Sequence, residues 1–205
     1  PAQGAAPWLC VTGTNGKTSS TWWLAQALNE LNNASQPSRC AVVGTLGVGE
    51  PPHLVSTGMT TPDPVLLQAQ FRNFVTTGVT HCAIEASSIG IAEQRLAGTR
   101  IRLAVFTNFT QDHLDYHGSM AAYWQAKEAL FAWPDLEVAV VNVDDAHGAQ
   151  LAAKLASEKS LTLWTCSSQG HPARLQALNL QRTAAGLAFD VKEAEQVVHI
   201  QTHLM

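Results

Sequence analysis

Short apolar runs alternate with stretches of helical periodicity along most of the chain. Residues 9–12 form the first run, and residues 17–31 follow with Trp22, Trp23, Ala25, Leu28 and Leu31 at the spacing of one helix face. Residues 40–46 read as a strand, 65–76 as a helix, 79–85 and 103–108 as strands, and 119–131 as a helix. A strand over 138–143, a helix over 145–156 and a strand over 161–166 complete the series. Strands that are apolar throughout, each followed by a helix, predict an α/β fold with a mostly parallel sheet flanked by helices. Beyond residue 172 the period changes: 175–180, 186–191 and 197–203 alternate and are separated by turn-forming residues. They predict a small antiparallel β appendage at the C-terminal end, over about 172–205, belonging to one domain that spans 1–205. Residues 47–63, rich in Gly, Pro and Thr, read as a loop long enough to bind something.

Composition narrows the function classes. With 205 residues, 46% hydrophobic and 14% charged, the chain can bury a core of ordinary size. A net charge of −4 supplies no basic face for nucleic acid. No apolar run approaches the roughly 18 residues that a bilayer span needs, so no membrane partner is expected. The opening Pro1-Ala2-Gln3-Gly4 has neither the basic nor the apolar region of a signal peptide and lacks an initiator methionine, so the chain reads as cut from a longer cytoplasmic protein. Cys10, Cys40, Cys82 and Cys166 form no C-x-x-C pair and each falls in a predicted strand, which points to buried free thiols and away from a metal site.

The chemistry-bearing residues gather at predicted strand ends. Gly13-Thr14-Asn15-Gly16-Lys17-Thr18 leaves a strand and opens a helix, the context of a phosphate-binding loop. There, backbone N–H groups and the helix N-terminus hold phosphate oxygens, Lys17 offsets the β/γ charge, and Thr18 offers a hydroxyl to Mg²⁺. The first glycine comes two residues later than in the strict pattern, where Val11 stands. Glu85 ends the strand of residues 79–85 and would face the crevice at the carboxyl edge of such a sheet, either as a Mg²⁺ ligand or as an ordinary strand-end carboxylate. Ser87, Ser88 and Arg95 follow in a loop. Residues 107–118 carry Asp112, His113, Asp115 and His117, groups able to hold a divalent cation or orient a phosphate. Lys127 sits among aromatic and apolar neighbours, and composition alone makes it a snorkelling lysine.

Taken together, GTNGKT (13–18), TTPD (60–63), EASS (85–88), TNFTQDHLDYHG (107–118), YWQAKEALF (123–131) and VNVDD (141–145) resemble the Mur ligase family in its own motif order. TTPD with the extended DHLDYHG is similar to its MurE branch, which adds meso-diaminopimelate or L-lysine to UDP-N-acetylmuramoyl-L-alanyl-D-glutamate. The resemblance implies an ATP-dependent, ADP-forming acid–amino-acid ligase of peptidoglycan precursor synthesis in the bacterial cytoplasm, acting as a monomer through an acyl phosphate. It implies that Gly13, Thr14, Asn15, Gly16, Lys17 and Thr18, with Asn142 and Asp145, bind ATP. It also implies two Mg²⁺ ions, one on Thr18 and Glu85 and a second on His113 with a carbamylated Lys127. Thr60, Thr61, Ser87 and Arg95 would contact the muramoyl substrate. Two positions depart from the family: Ile89 replaces a histidine, and Glu93 a glutamine. The family's N-terminal UDP-binding domain and C-terminal amino-acid-binding domain would be its partners, absent from these residues. A folylpolyglutamate-synthetase-like substrate, or a non-catalytic scaffold, are the alternatives.

Overall fold

The computed structural model describes residues 8–31, 38–158 and 160–203; Pro1-Ala2-Gln3-Gly4, from which the absence of a signal peptide was read, lie outside the described residues. The chain divides into two compact units, Pro1–Glu137 and Val138–Met205.

In the first unit six strands lie in the order β6-β1-β5-β2-β3-β4. They are β1 (Trp8–Thr12), β2 (Cys40–Gly44), β3 (Gly47–Glu50), β4 (His53–Val55), β5 (His81–Glu85) and β6 (Ile101–Phe106). The pairs β1–β6, β1–β5 and β2–β5 are parallel. Every residue of β1 and β2 is buried, which is why these strands appear in the sequence as unbroken apolar runs. Cys10, Cys40 and Cys82 are buried on β1, β2 and β5, and desolvation pushes all three thiols up, Cys40 to about 12, so they are inert at neutral pH; Cys166, expected to be buried as well, is only partly covered.

Helix α1 (Lys17–Glu30) buries Thr21 and Ala25, and Ala25 packs with Cys40, Val42 and Ala83. The helix approaches the sheet through small side chains, so Trp23 and Leu31, expected on the buried face, are exposed. Helix α2 (Pro64–Thr76) opens with proline at a position whose N–H would be unpaired, and Asp63 caps it by accepting from the Val65 and Leu66 N–H groups, both at 3.0 Å. It buries Leu67, Phe71 and Phe74, and Phe71 stacks on Trp8. Two short helices, α3 (Ser88–Ala92) and α4 (Leu114–His117), follow β5 and β6. The helix expected over 119–131 is α5 (Met120–Glu128), tightening into a 3-10 turn at Ala129–Ala132.

The expected loop over 47–63 is instead partly a hairpin, β3–β4, joined by Pro51-Pro52 and paired antiparallel to β2. Its backbones lie very close. A Cβ on Gly47 would sit 2.6 Å from the Val55 carbonyl oxygen, and one on Gly49 2.4 Å from that of His53. Only glycine fits there, and glycine carries none of the β-branched signal by which strands are recognised.

The second unit has the order β11-β10-β9-β8-β7. Its elements are β7 (Val138–Asn142), α6 (Ala146–Leu155), β8 (Thr162–Ser167), β9 (Leu175–Thr183), β10 (Gly186–Glu193) and β11 (Gln196–Gln201). The strands β7, β8 and β9 pair parallel, and β9, β10 and β11 form the expected antiparallel meander. Among the described residues no helix is long and apolar enough to cross a membrane.

Candidate active site

The carboxyl ends of β1, β5 and β6 carry the phosphate loop, Glu85 and the 107–118 stretch singled out from the sequence. The chain leaves β1 through Gly13 (φ 147°), and a Cβ there would lie 1.9 Å from Thr107 Oγ1, so glycine is obligatory where this loop presses on the one after β6. Gly16 takes a left-handed conformation (φ 84°) at the N-cap of α1 and offers no side-chain cap. The first N–H groups of a 14-residue helix are therefore left to an external acceptor. The loop is pinned from the β6 side. Thr14 N–H donates to the Asn108 carbonyl at 2.8 Å, Asn15 N–H to Asn108 Oδ1 at 2.9 Å, and Thr107 Oγ1 to the Asn15 carbonyl at 2.7 Å. Asn108 is thus a scaffold of the loop that sequence reasoning missed, although it lies inside the TNFT stretch.

Two lysines converge on one carbonyl. Lys17 Nζ donates to the Gly13 and Thr14 oxygens at 3.0 and 2.8 Å, and Lys127 Nζ donates to the same Gly13 oxygen at 2.8 Å. Lys127 is 1% exposed, so the snorkelling expected from composition is corrected: its head group, not its stem alone, is inside. Tyr123, fully buried, explains how. Its ring lies 4.4 Å beneath Lys127 Nζ, its hydroxyl meets Thr14 Oγ1 at 3.2 Å, and His113, His117 and Phe109 pack against the same ring. Burial, and after it the Lys17 charge, bring the Lys127 ammonium down to about 7, against the opposing pull of Asp112. Burial also lowers Lys17, while Glu85 and Asp112 hold it up.

Glu85 is 1% exposed and its carboxylate accepts three hydrogen bonds. Thr18 Oγ1 donates to Oε2 at 2.9 Å, the Thr45 N–H to Oε1 at 2.8 Å, and Thr45 Oγ1 stands 3.3 Å from Oε2. A Cβ on Gly44 would fall 2.1 Å from Oε1. The strand-end carboxylate is therefore inside, beside the phosphate-loop hydroxyl, and the alternative of a solvent-facing glutamate fails. Neither Gly44 nor Thr45 was legible, because the contact joins residues forty apart and no motif marks it.

The remaining residues form a second group. Thr61 is fully buried and its hydroxyl is saturated: it donates to the Glu85 carbonyl at 2.7 Å and accepts from Ser87 N–H at 3.0 Å, with Ser87 Oγ at 2.9 Å. Ser87, expected in a loop, caps α3 through the Gly90 N–H. Thr60 Oγ1 lies 2.9 Å from Thr45 Oγ1. Arg95 donates to the Thr61 carbonyl at 2.8 Å and is held through Nε and Nη2 by one oxygen of Glu93, whose other oxygen accepts from Tyr116 Oη at 3.2 Å. The departure at Glu93 thus supplies a carboxylate that occupies the arginine's fork.

His113 has a left-handed backbone (φ 49°), is half-exposed, and turns toward Asp112, with Nε2 3.5 Å from Oδ2. His117 Nε2 meets the buried Ser88 Oγ at 3.0 Å, fastening α4 to α3. In the second unit, Asp145 caps α6 through the His147 and Gly148 N–H groups, and Asn142 Oδ1 accepts from the Asp144 N–H.

Among the described residues no cluster of three His, Cys, Asp or Glu side chains is able to hold a metal. The pair Thr18–Glu85 nonetheless fits Mg²⁺, which keeps several waters and commonly takes one or two protein oxygens together with substrate phosphates.

These features agree with comparisons to known proteins. A family model described as the Mur ligase middle domain matches residues 11–205. The UDP-N-acetylmuramoyl-L-alanyl-D-glutamate--2,6-diaminopimelate ligase of Acidovorax sp. (strain JS42) is 61% identical over 199 residues, 96% of this chain but 39% of the relative. A solved structure of a UDP-N-acetylmuramoyl-L-alanyl-D-glutamate--2,6-diaminopimelate ligase superposes with a TM-score of 0.86 at 34% identity, over 97% of this chain and 39% of that one. A Mycobacterium tuberculosis folylpolyglutamate synthase (TM-score 0.67, 17% identity, 95% of this chain and 49% of that one) shares the fold alone. The chain spans about two fifths of the length of the curated relatives it matches. It belongs to the Mur ligase family, as that family's middle domain.

Proposed function

We propose that this chain is the ATP-binding part of a cytoplasmic bacterial ligase that joins 2,6-diaminopimelate to UDP-N-acetylmuramoyl-L-alanyl-D-glutamate. The observation that carries the reading is the placement of Thr18 Oγ1 against the buried Glu85 carboxylate, at the uncapped N-terminus of α1. The 61% identity to a ligase of that name supports the substrates.

In the reaction, the D-glutamate γ-carboxylate attacks the γ-phosphorus of ATP, forming an acyl phosphate and releasing ADP. The diaminopimelate amine then attacks the acyl carbon, losing a proton, and phosphate leaves. Residues 13–18 bind the phosphates, and Lys17 leaves the Gly13 and Thr14 carbonyls to meet their charge. Thr18 and Glu85 would hold one Mg²⁺, which supplies charge neutralisation on the phosphates. His113 and Lys127, both against Tyr123, would hold a second. For that role Lys127 reacts as the neutral amine with carbon dioxide, forming an N–C bond and releasing a proton; burial that brings it down to about 7 supports this. Thr60, Ser87 and Arg95 face the muramoyl substrate, whereas Thr61, expected among these contacts, is buried with its hydroxyl fully used and holds Ser87 in place. Asn142 and Asp145 are the proposed nucleotide contacts of the second unit.

These 205 residues by themselves bind nucleotide weakly and do not ligate, since a whole ligase of this kind is more than twice as long and must also hold the amine against the acyl phosphate. The test is ADP release by the full-length ligase, supplied with the muramoyl dipeptide and diaminopimelate. Lys17→Ala should lower it by about two orders of magnitude, the equivalent of roughly 3 kcal/mol of transition-state stabilisation. Release at the wild-type rate would remove the phosphate-loop assignment.

A further inference from the structure

We propose that Thr45 is a positioning residue that joins the substrate loop to the metal-binding carboxylate and makes Thr60 a hydrogen-bond acceptor toward its ligand. The proposal rests on the function above only in taking Glu85 as the metal's carboxylate and Thr60 as facing the substrate.

The available protons fix the direction of each bond. Oε1 of Glu85 takes the Thr45 N–H at 2.8 Å, and Oε2 takes the Thr18 hydroxyl at 2.9 Å with Thr45 Oγ1 at 3.3 Å. An ionised carboxylate only accepts, so in the last of these bonds the Thr45 hydroxyl is the donor. A hydroxyl has one proton. Having given it to Glu85, Thr45 can meet Thr60, 2.9 Å away, only as the acceptor, and the Thr60 proton is thereby spent on Thr45. The opposite orientation would keep the hydroxyl pair but give up the bond to the carboxylate and turn the Thr45 lone pairs toward its negative charge. Thr60 therefore presents only lone pairs to the crevice. It suits an amide N–H or a sugar hydroxyl, and it disfavours a carboxylate or phosphate oxygen.

The same chain, Thr60–Thr45–Glu85–Thr18, ties the loop after β4 to the phosphate loop through the buried carboxylate. Gly44 makes it possible, since any side chain there would collide with the carboxylate. Thr45 itself is exposed, so its replacement empties no core.

Neutron diffraction from the deuterated wild-type chain at neutral pH reads the direction without a variant. The deuteron on Thr60 Oγ1 should point at Thr45 and that on Thr45 Oγ1 at Glu85; a Thr45 deuteron aimed at Thr60 overturns the proposal. In the full-length ligase, Mn²⁺ binding in the presence of ADP, followed by electron paramagnetic resonance, tests the coupling. Thr45→Val should weaken Mn²⁺ about tenfold and also raise KM for the muramoyl dipeptide. Thr45→Ser should restore both, and Thr60→Val should raise KM with Mn²⁺ affinity unchanged. Wild-type Mn²⁺ affinity in Thr45→Val, or a serine variant as impaired as the valine one, overturns it. Failure of the wild-type enzyme to turn over these substrates would instead sink the functional reading, leaving the deuteron positions and Mn²⁺ affinities to judge Thr45.

Discussion

The two compact units use polar side chains in opposite ways. In the first, Glu85, Lys127, Thr12, Thr14, Thr21, Thr61, Ser88 and Thr99 are buried; in the second, Ser167 is the single buried polar residue among those described. The polar groups of the second unit build turns. Asp144 accepts from Ser167 Oγ, Ser168 N–H and Ser168 Oγ to shape the loop after β8, and Asp145 caps a helix. Those of the first unit are held against the grain of burial, with two ammonium groups on one carbonyl and a carboxylate in a hydroxyl cage. Burying charge costs free energy, and the first unit bears that cost where the sheet's crevice opens. The difference shows in which half of the chain charge and hydroxyl groups are buried beside a crevice, and in which they serve turns and caps at the surface.

The largest effect should come from disturbing the cage. In the full-length ligase, Gly44→Ala places a methyl 2.1 Å from Glu85 Oε1, and turnover should fall by about a hundredfold or more, read by ADP release. Activity near wild type would mean that Glu85 can move away without loss, and the contrast between the units would lose its main support.

Stability should respond in the opposite sense at Lys127. Its folded-state pKa, about 7, lies below the ordinary 10.5, so protonation opposes folding below about pH 7 in full, and the penalty fades as pH rises toward 10.5. Lys127→Met should therefore stabilise the chain by about 1–3 kcal/mol at pH 6–7, with the gain vanishing near pH 10.5, measured by denaturant unfolding. A variant less stable than wild type at pH 6 would show that the Gly13 hydrogen bond outweighs desolvation.

Much of this contrast was legible in the sequence, and what was not has a common cause. The phosphate loop and the Glu85 strand end are local patterns, readable from a few consecutive residues. So were the parallel strands, because burial on both faces leaves an apolar run. The β3–β4 hairpin was hidden because close backbone approach required glycines at 47 and 49, which look like loop. Thr45, Asn108 and Tyr123 act through contacts tens of residues distant, to which periodicity is blind. Lys127 shows the same limit, since its neighbours in sequence announce an apolar surface but not that the phosphate loop closes over it.

The smallest effect belongs to the second unit. Burial raises the Asp144 carboxyl, but the hydrogen bonds from Ser167 and Ser168 outweigh it and leave the pKa below the ordinary 3.8. That stability is present above pH 3.8 and is lost as the pH falls below it. Asp144→Asn should cost at most about 1 kcal/mol at pH 7, a figure reduced by solvent screening, and little near pH 2. Denaturant unfolding of the variant at pH 7 and at pH 2 reads it, and an equal cost at both would show that the hydrogen bonds from Ser167 and Ser168 do not act on the ionised carboxylate.

A crystal structure of this chain with Mg²⁺ and a non-hydrolysable ATP analogue decides whether residues 13–18 and Glu85 form one nucleotide and metal site. Phosphates should lie on the N–H groups at the start of α1, with Lys17 Nζ turned from the Gly13 carbonyl to the phosphates and an ion between Thr18 Oγ1 and Glu85. A nucleotide bound elsewhere, with Lys17 still on Gly13 and the Thr18–Glu85 hydrogen bond intact, would contradict it.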